Sequence, residues 1–140
     1  MNSSDRLAKK LIEHHEGRKN FVYIDSVGVP TLGVGHALHK GSYVPDSVID
    51  TFLKEDLETA RGLYDIADLD LDPVRRAATI DMFFNLGPQL LRWKFIKRLR
   101  EKDYRAAGRE MINSRWWSQV GRRSKNLHKI ITTGRLEDVA

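Results

Sequence analysis

The 140-residue sequence contains no cysteine, only four prolines, and no run of 18 apolar residues. Without cysteine, the chain has neither a disulfide framework nor a thiolate metal site. Without a long apolar run it has no candidate membrane span, and its first residues lack the apolar stretch of a secretory signal. The sequence therefore predicts a soluble protein made in the cytoplasm, whose catalysis must use carboxylates, His, Ser, Thr, Lys or Tyr.

The composition also lacks the marks of disorder. Hydrophobic residues make up 41% and charged residues 31% of the chain, which are values typical of globular proteins. Collagen-like and coiled-coil classes are excluded because the sequence has neither repeat. The length fits one domain, with room for a waist between two lobes.

The net charge of +5 is distributed unevenly along the chain. Residues 1–91 hold 10 Lys and Arg against 14 Asp and Glu, whereas residues 92–140 hold 14 against 5. Such a regional excess predicts a polyanionic partner, which could be nucleic acid, an acidic membrane surface or an acidic cell-wall polymer. The alternative is a well-solvated helical surface without a partner.

Residue periodicity predicts a small sheet near the N-terminus and helices elsewhere. A helix is expected over about 4–15, capped by Ser3 or Ser4 and ended by Gly17. Period-two patterns predict a β-hairpin from strands at 21–24 and 31–35. Further helices are expected over 46–64 and from Pro73 with Asp72 as cap, followed by short helices broken near Asp103, Ser114 and Gly121. This is an α+β fold.

Glu16 is the first candidate catalytic residue. It continues the row Ala8, Ile12 at a spacing of four and so falls on the apolar face at the end of the first helix. Partial burial and the negative end of the helix dipole both favour a neutral carboxyl, which suits a general acid. The alternative is an ordinary Glu of the last turn, exposed to water.

Asp25 and Thr31 are the next candidates, at the two sides of the predicted hairpin turn. Asp25 follows a strand and precedes a turn, where a turn-capping Asp is the common explanation. On the returning strand, Thr31, Gly33 and Gly35 point one way, so that this face is almost bare of side chains. Glycines weaken a strand, and here they favour the close approach of a ligand or of another backbone.

Read together, these segments resemble a known family. The chain is similar here to the phage-type lysozymes, the endolysins of glycoside hydrolase family 24. The similar segments are Glu16-Gly17, Tyr23-Ile24-Asp25, Gly28 and Thr31-Leu32-Gly33-Val34-Gly35-His36. Members carry a Glu, an Asp nine residues later and a Thr six beyond that, a spacing that this chain satisfies. Later segments also resemble the family: 71–78, 84–87, 106–107, 114–116 and 131–135.

The resemblance implies a lysozyme-like fold and hydrolysis of the β-1,4 bond between N-acetylmuramic acid and N-acetylglucosamine in peptidoglycan. In that reading residues 1–140 form a single lysozyme domain. Its parts are an N-terminal lobe of about 1–44 with the active-site hairpin, a connecting helix at 45–66 and a helical C-terminal lobe at 67–140. Glu16 would be the general acid, while Asp25 and Thr31 would position and activate water with inversion.

Other residues are implied by the same resemblance. Gly35, Ala37 and Phe84 would contact sugar, although Phe84 could equally be core. Arg123 would pair with the catalytic Glu, the alternative being that it is one more member of the basic surface. His36 would be a further electrostatic support or a structural residue. Trp116 and Trp117 stand among apolar residues, so at least one of them is expected to be buried. No metal or cofactor is expected.

The expected partner is peptidoglycan, with no specific nucleic acid. The chain is expected to act as a monomer, on the cell wall, after a separate protein has opened the membrane. Two rival functions remain: a nucleic-acid-binding module, suggested by the basic region, and a catalytically silent protein on the lysozyme fold. No helix-turn-helix, finger or RNA-recognition motif accompanies the basic charge, and the intact Glu16, Asp25 and Thr31 argue against the silent protein.

Overall fold

The computed structural model describes residues 1–136, and the chain divides into two compact units, Met1–Pro45 and Asp46–Ala140. We call them unit 1 and unit 2. Within the described residues, unit 1 holds one helix and a three-stranded sheet, and unit 2 is helical. The predicted α+β class is confirmed.

Helix α1, Ser3–Glu16, begins at a cap that differs from the predicted one. Asn2 is the N-cap: its side chain accepts a hydrogen bond from the backbone N–H of Asp5 at 2.8 Å, and the Asp5 carboxylate accepts one from the N–H of Asn2. The prediction of Ser3 or Ser4 is therefore wrong. This reciprocal arrangement needs an acidic side chain three residues after the cap, and Asp5 supplies it only to Asn2. Gly17 ends the helix as predicted.

The sheet of unit 1 is antiparallel, in the order β1-β2-β3. The predicted hairpin is present as β1 and β2, but the second strand ends at Gly33 rather than Gly35. Gly33 and Gly35 have φ angles of +65° and +67°, which extended strands do not adopt, and they turn the chain into a third short strand. The strands are β1 Lys19–Ile24, β2 Pro30–Gly33 and β3 His36–Ala37.

Unit 2 begins with the long helix α2, Asp46–Ile66, which packs against α3, Pro73–Leu86. Asp72 caps α3 by accepting the backbone N–H of Arg75, and Pro73 is the first helical residue, both as predicted. Burial alone would raise the pKa of Asp72, but its hydrogen bonds with Arg75 lower it overall. A 3-10 helix at Gly87–Arg92 follows, then α4 Lys94–Arg100, α5 Tyr104–Ile112, α6 Trp116–Gln119 and α7 Arg122–Thr133.

The hydrophobic core belongs to unit 2. Trp116 lies in it, with its indole Nε1 donating to Asn85 Oδ1 at 2.6 Å, while Trp117 is only partly buried. Among residues 1–45, by contrast, only Thr31 is buried. The largest fully buried side chains of unit 2 are Phe83, Phe95, Met82, Leu90, Leu99, Met111 and Ile131.

No helix within residues 1–136 combines the length and the apolar character that crossing a membrane requires.

Candidate active site

Glu16, the last residue of α1, is exposed. The expectation that it would be partly buried on an apolar face is therefore wrong. The whole helix lacks buried residues, including Leu11, which is 57% exposed. The physical reason within unit 1 is size: strands of six, four and two residues offer too little surface to cover a helix of 14 residues.

The turn between β2 and β3 lies directly against the Glu16 carboxyl group. A Cβ atom at position 35 would lie 2.7 Å from both Cδ and Oε2 of Glu16, closer than real Cβ contacts come. Glycine is required at position 35 for two reasons. The φ angle there is +67°, which other residues rarely adopt, and no side chain fits beside the Glu16 carboxyl. The sequence predicted the close approach of a ligand or of another backbone at these glycines, whereas the neighbour found at Gly35 is the Glu16 side chain.

Asp25 organises the turn between β1 and β2. Its Oδ1 accepts the backbone N–H groups of Val27 at 2.9 Å and Val29 at 2.8 Å. Its own N–H donates to the Val29 carbonyl at 2.9 Å, and its carbonyl accepts the N–H of Gly28. Asp25 is thus the turn-capping residue that one interpretation expected. Its Oδ2 accepts no hydrogen bond from the part of the chain that the structure describes, so the same carboxylate can also hold a water molecule.

Thr31 is buried in the central strand and lies directly opposite Tyr23 of β1. Residues opposite each other in an antiparallel pair project to the same face, and Asp25, two residues after Tyr23, shares that face. The Thr31 hydroxyl donates to the Val29 carbonyl at 2.8 Å. Its oxygen therefore keeps its lone pairs as acceptors for a water hydrogen.

Strand β2 separates the two carboxyl groups. Asp25 lies near the Pro30 end of the strand, whereas the Glu16 carboxyl touches Gly35, just beyond the Gly33 end. Four residues of strand extend over about 13 Å, from which the two side chains can reach back toward each other. Thr31 lies within β2, near its Asp25 end. The three predicted catalytic residues thus occur in one small unit, around one strand.

The third strand places two further candidates on opposite faces. Ala37 pairs with Thr31 and so lies beside it on the same face, where the predicted sugar contact is geometrically allowed. His36 pairs with Leu32, which projects to the other face. The His36 side chain is exposed and does not share the face of Thr31.

Two candidates belong to unit 2. Phe84 is 41% exposed at the end of α3, so it is available to a ligand rather than fully core. Arg123 donates from Nε to Asp81 Oδ1 at 2.8 Å, and its Nη2 lies at the same distance from that oxygen. The pairing of Arg123 with Glu16 stays a prediction. Sequence reasoning missed Asp81, because no local pattern links residues 42 positions apart.

Within residues 1–136, no group of three His, Asp or Glu side chains is arranged to hold a metal ion.

Comparison with known proteins shows which family the chain belongs to. The phage lysozyme family model matches residues 13–131. Probable T4-type lysozyme 1 of Dictyostelium discoideum is 27% identical, over 91% of this chain and 95% of the relative. The endolysin of Salmonella phage P22 is 26% identical, over 79% of this chain and 80% of the relative. The chain belongs to the phage lysozyme family and is a lysozyme, an enzyme that hydrolyses glycosidic bonds.

Proposed function

We propose that this lysozyme hydrolyses the β-1,4 bond between N-acetylmuramic acid and N-acetylglucosamine in peptidoglycan, with Glu16 as general acid. The observation that carries the proposal is the arrangement around β2, where Glu16 and Asp25 approach from opposite ends of the strand and Thr31 lies within it. Glycoside hydrolysis needs two carboxyl groups on the two sides of the scissile bond.

Glu16 is the better candidate for the acid because the Asp25 carboxylate already accepts two backbone N–H groups and so serves as a fixed acceptor. Within residues 1–45, the Glu16 carboxyl makes no hydrogen bond or ion pair and lies against Gly35. It donates its proton to the glycosidic oxygen as the bond to the anomeric carbon breaks. The sugar on the leaving side departs with a new hydroxyl group.

Asp25 and Thr31 prepare the water that attacks the anomeric carbon. The Asp25 carboxylate is fixed by two backbone N–H groups on Oδ1, which leaves Oδ2 to accept a hydrogen from water. Thr31 is fixed by its bond to Val29 and accepts the other hydrogen. Asp25 removes a proton from the water in the transition state, while Glu16 gives its proton to the glycosidic oxygen. The total charge of the two carboxyl groups is therefore the same before and after the reaction.

This arrangement favours inversion at the anomeric centre. In retaining enzymes the two carboxyl groups stand about 5 to 5.5 Å apart, and one of them attacks directly, whereas inverting enzymes leave about 6.5 to 9.5 Å for water. Attachment at opposite ends of β2 supports the wider spacing. The hydroxyl of Thr31 beside Asp25 supports the same conclusion, because it provides a second anchor for the water.

Sugar contacts are proposed for Gly35, Ala37 and Phe84, and an electrostatic role for Arg123. Ala37 lies on the face of Thr31 and Gly35 against Glu16, so both line the reacting centre in unit 1. Their small size leaves room for a pyranose ring. We assign His36 no part in the reaction, because its strand position faces the other way.

The setting of the reaction is part of the proposal. The likeness to an endolysin supports synthesis in the host cytoplasm and action on the wall after a separate protein has opened the membrane. Monomeric action is proposed too, because the three catalytic residues come from a single unit of one chain. Expression without a membrane-opening partner should leave the cells intact.

The direct test of the acid is Glu16→Gln, which keeps the shape of the side chain but removes its proton. Hydrolysis of purified cell walls should fall by at least 100-fold, the range expected when a general acid is lost. Glu13→Gln is the matched control, because Glu13 is exposed on the same helix and forms an ion pair with Lys9. Full activity of Glu16→Gln would refute the assignment, and a loss in both variants would indicate damage to the helix instead.

A further inference from the structure

Two aromatic rings lie beside each other on strand β1, next to the catalytic residues. The ring centroids of Phe21 and Tyr23 are 6.3 Å apart, with the planes inclined at 70°. We call Phe21 and Tyr23 the aromatic pair. Phe21 is 62% exposed and Tyr23 is partly buried. The Phe21 ring is therefore open to a ligand, while its neighbours hold the Tyr23 ring in place.

The aromatic pair shares the face of the catalytic side chains. Tyr23 is directly opposite Thr31, and Asp25 follows it at a spacing of two, so all three project to one face of the sheet. The ladder is irregular between Lys19 and Tyr23, so register alone does not orient Phe21. The ring contact between Phe21 and Tyr23 orients Phe21, because the two rings lie side by side.

Packing within unit 1 does not account for an exposed phenylalanine at this position. The core belongs to unit 2, and unit 1 buries no apolar side chain. Exposed apolar side chains grouped together often mark binding surfaces. Here the neighbouring residues limit the ligand, because the pair adjoins Asp25 and Thr31, which we have proposed to act on a sugar.

A pyranose ring is the ligand that fits such a surface. Its C–H groups form apolar faces and its hydroxyl groups a polar rim, so the face of an aromatic ring can cover it while the rim stays hydrated. Tyrosine combines an apolar ring with a polar tip, which suits the boundary between a sugar face and its hydroxyl groups. Arg18, Lys19 and Asn20 directly precede the pair in the sequence, so the same segment also carries polar and charged side chains.

We propose that the aromatic pair is a sugar-binding subsite of this lysozyme, in which a pyranose ring of the glycan strand stacks on Phe21. Phe21 lies on the Lys19 side of Tyr23, toward the Gly33 end of β2, and Tyr23 connects it to Thr31 and Asp25. The bound glycan strand would therefore extend along β1 from the reacting centre. The proposal rests on the proposed function, since it takes the glycan from the reaction of Glu16, Asp25 and Thr31. It adds a contact that holds substrate without taking part in bond breaking.

The test measures binding of soluble, peptide-free glycan strands to the Glu16→Gln protein by titration calorimetry. Adding Phe21→Ala should weaken binding about five- to tenfold, the range expected for one aromatic contact. Phe21→Leu should weaken it similarly, because leucine keeps apolar area but offers no flat ring. Phe21→Trp should bind at least as tightly as the parent.

Ile24→Ala provides the matched control. Ile24 lies in the same strand with an exposure of 63%, close to the 62% of Phe21, but it pairs with Pro30 and so projects to the other face. Its substitution should leave binding unchanged. Both substitutions remove exposed side chains, so neither opens a cavity in the core, and thermal unfolding should confirm that each variant is folded.

Kinetics of the active enzyme give a second readout. Phe21→Ala should raise KM for soluble glycan strands about five- to tenfold with little change in kcat, because the contact is equal in the ground state and the transition state. Unchanged binding and KM in Phe21→Ala, equal losses in Ile24→Ala, or parent-like binding of Phe21→Leu would each overturn stacking. Failure of the catalytic assignment is distinguishable, since it would appear as hydrolysis by Glu16→Gln, whatever the result at Phe21.

Discussion

Units 1 and 2 differ most in what they bury. Within the described residues, unit 2 surrounds its apolar side chains with six α-helices and one 3-10 helix, and Phe83, Phe95 and Leu99 are almost completely removed from water. Unit 1 carries the three proposed catalytic residues, yet Thr31 is its only buried residue. Stability and chemistry are therefore assigned to different parts of the sequence, so substitutions in the two units should have different consequences.

The largest expected effect tests that contrast through stability. Phe83→Ala should lower the free energy of unfolding by about 3 to 5 kcal/mol, because it opens a cavity in the core of unit 2. Leu11→Ala, in the exposed face of α1, should change it by less than about 0.5 kcal/mol. Urea titration followed by circular dichroism measures both. A cost of several kcal/mol for Leu11→Ala would show that α1 is covered in solution, and the contrast would fail.

The next effect should appear in activity rather than stability. Gly33 and Gly35 both have positive φ angles, so alanine strains the backbone similarly at either position. Only at position 35 would the new Cβ meet a neighbour, the Glu16 carboxyl group. Gly35→Ala should therefore reduce kcat on soluble glycan by roughly 100-fold through misplacement of the acid.

Gly33→Ala controls for the strain, since nothing lies within 4 Å of its added Cβ. It should cost a similar amount of stability and much less activity. Equal losses of kcat in the two variants would mean that backbone strain, and not the contact with Glu16, explains the requirement for glycine.

The smallest effect concerns the pH dependence of unit 2. Burial lowers the pKa of His128. Its ring contacts the ring of Trp117 and lies so close to Gly108 that a Cβ atom there would be 2.9 Å from His128 Nε2. The folded protein then binds fewer protons than the unfolded chain, so stability should fall as the pH drops below the ordinary value of 6.5. Unfolding midpoints at pH 7.5 and 5.5 measure this, and His128→Gln should reduce the difference. An identical difference in that variant would assign the pH dependence to other groups.

Sequence patterns predicted the features that depend on neighbours along the chain. The Asp72 cap, the first-turn Pro73 and the end of α1 at Gly17 are local backbone requirements, and each was found. The short spacing from Glu16 to Thr31 made the candidate site visible in the sequence for the same reason, because one helix end and one hairpin contain all three residues.

The features that were missed depend on contacts between distant segments or on competition between close alternatives. Asn2 and Ser3 are both good caps, and only the partner Asp5 decides between them. The exposure of Glu16 depends on how much surface the small sheet offers, which periodicity does not reveal. The Arg123–Asp81 pair joins two helices whose spacing in sequence carries no signal.

The central claim, that water bound between Asp25 and Thr31 attacks the sugar while Glu16 donates the proton, is tested most directly by the product's stereochemistry. Proton NMR can follow the anomeric signal of the first-formed reducing end during hydrolysis of soluble glycan strands. The account predicts that the α-anomer appears first and then mutarotates, because direct attack by water inverts the β-linked centre. Initial release of the β-anomer would contradict it and would indicate a covalent intermediate in place of the water.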